Sequence, residues 1–191
     1  MVKTNSTMLA LGTMAPDFNL PNVETGEHVS KDSFVGQPLL VMFICAHCPF
    51  VLHVQEELGK LSQDYDGKLA MVAISSNDVD VHPEDSPEML AIQAKQFGFK
   101  MNYLFDETQQ VAKDYTAACT PDFFLFDDSH SLVYRGQLDS SRPGSGAKVT
   151  GSDLRSALDA LLSGSSISED QIPSIGCNIK WKPGNEPEYF G

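Results

Sequence analysis

Five consecutive residues concentrate the reactive side chains of this sequence: Cys45-Ala46-His47-Cys48-Pro49. Two thiols at this spacing can close an intramolecular disulfide if the backbone bends between them, and such a pair can attack, hold and resolve a partner disulfide. Pro49 suits the first position of a helix, which makes Cys48 the expected N-cap. A sulfur there faces unpaired backbone N–H groups and the positive end of the helix dipole. Both favour thiolate over thiol, so Cys48 is the expected nucleophile and Cys45 its expected resolving partner.

Other donors lie nearby or far along the chain. Two thiols with His47 or His53 could hold zinc or copper, a function of another class, although no metal ligand and no cofactor is assigned. Residues 77–85 bring together Asp78, Asp80, His82, Glu84 and Asp85. They lack the mid-loop glycine of a calcium-binding loop and carry Pro83, so they read as a solvated acidic loop. Arg135 and Arg142 belong to no motif. Cys119 precedes Thr120-Pro121 at the start of an apolar run, and Cys177 sits in an otherwise polar tail.

The elements that must position the cysteines follow from the apolar pattern. Leu39–Ile44 is an uninterrupted apolar run, as in a strand buried on both faces. Phe50, Val54, Leu58, Leu61 and Tyr65 then recur at helical spacing. Leu69–Ile74 reads as a second buried strand. Ser86-Pro87 opens a helix that Gly98 closes, and Tyr103–Phe105 is a short strand. Asp106 with Gln109 opens a short helix through Val111 and Tyr115. Phe123–Phe126 and Leu132–Arg135 form a hairpin, and Leu154, Leu158 and Leu161 mark a last helix. An earlier hairpin is expected from Asp17–Leu20 and Glu27–Ser30. The order implies an α/β fold, a mixed sheet with helices on both faces. Residues 1–14 read as a loosely tied arm, 15–164 as the main domain and 165–191 as a tail.

Composition narrows the partners. Thirteen basic against twenty-six acidic side chains give a net charge of -13 over 191 residues. Such a surface repels phosphate backbones and anionic lipid, so neither nucleic acid nor a membrane is an expected partner. No secretory leader is recognisable in residues 1–11 and no apolar run could span a bilayer, so a cytoplasmic location is expected. Thiols are kept reduced there, and a close cysteine pair reads as redox or metal chemistry rather than as a disulfide framework.

Over residues 10–163 the chain resembles the thioredoxin superfamily, and within it the peroxiredoxin-like, AhpC/TSA-type branch. The matching pieces are Ala15-Pro16-Asp17-Phe18-x-Leu20, Leu40–Ile44, the Cys-x-His-Cys-Pro core, and Cys119-Thr120-Pro121-Asp122 with the apolar residues after it. The resemblance implies a thioredoxin fold and a cis bond before Pro121, with Thr120 and Pro121 beside the sulfurs and available for pairing with a substrate peptide. It also places Cys119 near the centre, as a third redox thiol or a packing residue. Aligned without gaps, Cys48 takes the attacking position and Val51 that of the usual second cysteine. True peroxiredoxins use a Pro-x-x-x-Thr-x-x-Cys arrangement and a remote arginine; Met42 and Cys45 stand in the threonine's two possible places. The resemblance thus implies thiol–disulfide exchange with a protein or small-molecule partner, with thiol peroxidase and copper or zinc chaperone as alternatives. Cys45, Cys119 and Cys177 all remain candidates for the resolving thiol.

Overall fold

A computed structural model describes residues 3–190 of the chain. In chain order the strands and α-helices are β1 (Lys3–Asn5), β2 (Asn19–Pro21), β3 (His28–Ser30), β4 (Leu39–Phe43), α1 (Pro49–Asp64), β5 (Ala70–Ser75), α2 (Pro87–Phe97), β6 (Asn102–Phe105), α3 (Gln110–Asp114), β7 (Cys119–Thr120), β8 (Asp122–Phe126), β9 (Leu132–Gly136), α4 (Ser152–Leu162) and β10 (Ile175–Asn178).

The main sheet runs β6-β5-β4-β8-β9. β4, β5 and β6 are parallel, joined by α1 and α2 as crossovers, and β8 and β9 close the sheet antiparallel. Every residue of β4 is buried, as its unbroken apolar run requires of a strand covered on both faces. Successive side chains of a strand point to opposite faces. Leu40 and Met42 therefore join a core with Val54 and Leu58 of α1, Leu90 of α2 and Leu158 of α4. Leu39, Val41 and Phe43 face a second core with Val111 and Ala112 of α3 and Leu20 of the β2–β3 hairpin. The helices thus lie on both faces, as the sequence pattern predicts. Each fully buried large apolar side chain here contributes roughly 1.5–3 kcal/mol.

Three departures from the sequence reading bear on the site. The short third helix starts at Gln110 with Gln109 as N-cap, later than Asp106. Asp106 still serves that helix, because its Oδ2 accepts the Ala112 N–H at 3.0 Å. The N-terminal arm is not loosely tied: Lys3–Asn5 pairs antiparallel with β10. The tail, in turn, supplies β10, which pairs with β7 directly before Pro121. This separate three-stranded sheet, β1-β10-β7, packs through β10 against α1, whose N-terminus carries Cys48. No described helix is long and apolar enough to cross a membrane.

Candidate active site

Cys48 is the N-cap of α1, with Pro49 in the first turn, and its carbonyl accepts the Leu52 N–H at 2.9 Å. Proline at this point costs no hydrogen bond, since first-turn N–H groups have no partner within the helix. β4 ends at Phe43 and α1 starts at Pro49, so strand end and helix start hold the motif between them. The Thr120–Pro121 bond is cis, and the step faces the cysteines: Cys48 Sγ lies 3.2 Å from Thr120 O, and Cys45 Sγ 3.5 Å from Thr120 Oγ1.

Four cysteines are buried in this region, and their environments differ. Cys177 brings its Sγ to 2.7 Å from Cys48 Sγ. The Cys48 thiol is pulled far below its ordinary range, first by the hydrogen bond with Cys177, then by that with Cys45, with smaller help from Thr120 and the Val51 backbone N–H. Burial opposes this and is outweighed. The other three thiols move up. Cys45 is raised by burial, then by its hydrogen bond with Cys48 and by Asp85. Cys119 is raised by burial and by Asp122, and its sulfur turns to Pro121 O at 3.6 Å. Cys177 is raised by its hydrogen bond to Cys48 and by burial. Negative charge therefore settles on Cys48, with its neighbours as donors.

Asp85 is the part of the site that the sequence reading missed. Far from lying in a solvated loop, its side chain is fully buried and anchors the motif. Its Oδ1 accepts the Ala46 and His47 backbone N–H groups at 2.8 and 3.1 Å. Its Oδ2 takes the His47 ring Nδ1 at 2.6 Å and Asn77 Nδ2 at 2.7 Å. Burial pushes the Asp85 carboxyl up, yet His47 and Asn77 bring it below its ordinary value. His47 is raised in turn, chiefly by that hydrogen bond. Its ring stacks on His82, with centroids 4.8 Å apart and planes 2° from parallel. A motif beginning Cys-Ala-His shows no sign of this partner, because Asp85 reaches it from 38 residues away. Pro83 and Pro87, which open a single 3-10 turn and α2 on either side of Asp85, were the available signal.

Cys45, His47 and Asp85 also place three possible ligand atoms within 4.8 Å of one another. His47 and Asp85 are already bonded to each other there, and His53 is outside this group, its Nε2 3.1 Å from Ser141 Oγ. Phe50, His53, Pro121, Arg142, Ser174 and Ile175 line a small cleft between the first turn of α1 and the cis-proline step. The Arg142 guanidinium in it donates to Asp139 O and Ser141 O, both at 2.7 Å.

Known proteins agree with this architecture. The chain is 53% identical to an uncharacterized conserved protein from Geobacillus kaustophilus, with a TM-score of 0.93 over 96% of this chain and 98% of that one. A hypothetical protein from Sinorhizobium meliloti 1021 is 49% identical, with a TM-score of 0.92 over 95% of this chain and all of that one. A secreted disulfide oxidoreductase of Mycobacterium tuberculosis shares 14% identity at a TM-score of 0.59, covering 75% of this chain and 96% of its own, a likeness of thioredoxin fold alone. No curated protein matches by sequence. The AhpC/TSA family model matches residues 11–135, from the arm through Cys45, Cys48 and Cys119 to β9, and the chain belongs to the AhpC/TSA family.

Proposed function

We propose that this protein exchanges disulfides with a protein or small-molecule thiol partner and that Cys48 is the attacking sulfur. The observation that carries the reading is the placement of the Cys48 sulfur at the α1 N-cap, 2.7 Å from the Cys177 sulfur and against the cis Thr120–Pro121 step, an arrangement that favours its thiolate. A thiolate is the nucleophile in exchange, so a cysteine whose anion is stabilised at neutral pH reacts first. Thr120 and Pro121 would flank the entering disulfide. The cleft of Phe50, His53 and Arg142 offers an apolar wall and one cation beside them.

The test is turnover of oxidised glutathione and of a disulfide-linked peptide, followed as thiol release, together with alkylation at limiting reagent. Cys48 is expected to label before Cys45, Cys119 and Cys177, and Cys48→Ser to lose turnover. A Cys48→Ser variant with wild-type turnover would sink the proposal. Peroxide reduction by the same sulfur is the second reading, favoured by the family match. Hydrogen peroxide consumption faster than disulfide turnover would replace the first reading by the second. For the metal-chaperone alternative, protein purified without added metal is expected to carry far less than one equivalent of zinc or copper.

A further inference from the structure

Cys48 has no solvent-exposed surface, and what covers it is the tail: β10 lies along β7, with Cys177 opposite Thr120 and Asn178 opposite Cys119. An edge such as that of β7 is where an extended peptide adds by backbone pairing. We propose that β10 is a built-in stand-in for the substrate strand and that Cys177, rather than Cys45, is the thiol that resolves the mixed disulfide on Cys48. This rests on Cys48 being the attacking sulfur.

Three independent features support the assignment. The Cys48 and Cys177 sulfurs are 2.7 Å apart, closer than an ordinary non-bonded contact, though a disulfide bond would be about 2.05 Å. Gly176 lets the strand approach this closely, because a Cβ there would collide with the carbonyl oxygen and carbon of Thr120. The segment is also held at both ends: Ser174 Oγ donates to Pro121 O at 2.6 Å, and Lys180 N to Asn77 Oδ1 at 2.8 Å. Cys45, by contrast, divides its sulfur between Cys48 and Thr120 Oγ1, the latter at 3.5 Å, within the buried strand end.

The chemistry balances as a two-electron exchange. The Cys48 thiolate attacks a disulfide R–S–S–R′, forming Cys48–S–S–R and releasing R′–S⁻, which takes a proton from water. Cys177 then attacks Cys48 Sγ. The Cys48–S–S–R bond breaks, the Cys48–Cys177 bond forms, and the Cys177 proton passes to the departing R–S⁻. The substrate is reduced to two thiols and the enzyme is oxidised by one disulfide. The main influence that keeps Cys177 protonated is its hydrogen bond to Cys48. That bond ends when Cys48 is capped by the substrate, which frees Cys177 to ionise at the step that needs it. Access for R–S–S–R′ then requires β10 to open locally between its anchors.

The experiment is stoichiometric oxidation with oxidised glutathione, followed by peptide mass mapping and alkylation of the full chain. The wild type should yield a Cys48–Cys177 bridge. Cys177→Ser should instead accumulate a glutathione adduct on Cys48, and Cys45→Ser should still form the bridge. Gly176→Val should separate β10 from β7 and speed Cys48 alkylation at least about tenfold, whereas Cys177→Ser retains the fold and carries the test if Gly176→Val does not fold. A Cys45–Cys48 bridge in the wild type, with no adduct in Cys177→Ser, would overturn the tail's role and leave Cys48 as nucleophile. If Cys48 is neither oxidised nor alkylated ahead of the other cysteines, the proposed function itself fails, and this inference with it.

Discussion

The two sides of Cys48 handle buried charge in opposite ways. On the helix side, Asp85 is completely buried yet receives four hydrogen bonds from Ala46, His47 and Asn77, and its carboxyl is lowered. On the strand side, Asp122 is equally buried, its Oδ2 has no partner among the described residues, and burial pushes its carboxyl well up. Burial alone always disfavours the charged form; donors decide whether it survives. The thiols follow the same rule. Cys48 keeps a charge because Cys177 and Cys45 donate to it, whereas Cys119, beside Asp122, does not. The Cys48 sulfur thus sits between a helix side whose carboxyl is lowered and a strand side whose carboxyl is raised.

The strongest way to break this contrast is Asp85→Ala. It removes the acceptor of those four bonds and strands His47, so urea unfolding should show a loss of about 3–5 kcal/mol, the usual penalty for breaking a buried pair. Asp85→Asn should lose less. If Asp85→Ala unfolds at the wild-type midpoint, the helix side does not depend on this carboxylate.

His47→Ala comes next, at about 1.5–3 kcal/mol for a hydrogen bond between charged groups, and it should change the pH profile. The folded pKa of His47 is raised, so its contribution is complete below the unfolded value and fades as pH rises through the folded one. Asp85 is lowered, so its contribution is complete above its unfolded value and fades as pH falls through the folded one. Wild-type stability from this pair should therefore peak between the two folded pKa values, and unfolding titrations of His47→Ala should be flatter at both ends.

Asp122→Asn should have the opposite sign. A raised carboxyl binds its proton more tightly when folded, so the wild type loses stability as pH rises from the unfolded pKa towards the folded one. The neutral side chain removes that slope. Asp122→Asn should be near wild type in acid and at least as stable at neutral pH, within about 1 kcal/mol. A variant that becomes progressively less stable than wild type with rising pH would mean that the Ala118 and Phe123 N–H groups stabilise the Asp122 carboxylate more than burial disfavours it.

The smallest effect belongs to Cys45→Ala. Cys45 is the second contributor to the low Cys48 pKa, behind Cys177. Its removal should move the pH midpoint of Cys48 alkylation upward, and by less than Cys177→Ser does. The reverse order would exchange the roles of the two thiols.

Much of this protein was legible because its signals are local. Leu39–Ile44 has no polar face to turn to water, so it becomes the central strand wherever the chain folds. Pro49 selects a helix start, which makes Cys48 the N-cap without reference to any other element. Ser86, Pro87 and Gly98 bracket α2 in the same way. What tertiary structure alone decided is which groups come to face that sulfur. Asp85 reads as one more acid in a polar loop until two neighbouring N–H groups and an imidazole surround it. Cys177 lies in Ile175–Asn178, a segment with little strand propensity that pairs only because β7 presents an edge and Gly176 fits against it. It stands 129 residues from Cys48, and no periodicity or cap reports a contact that two distant backbones create only once both are in place.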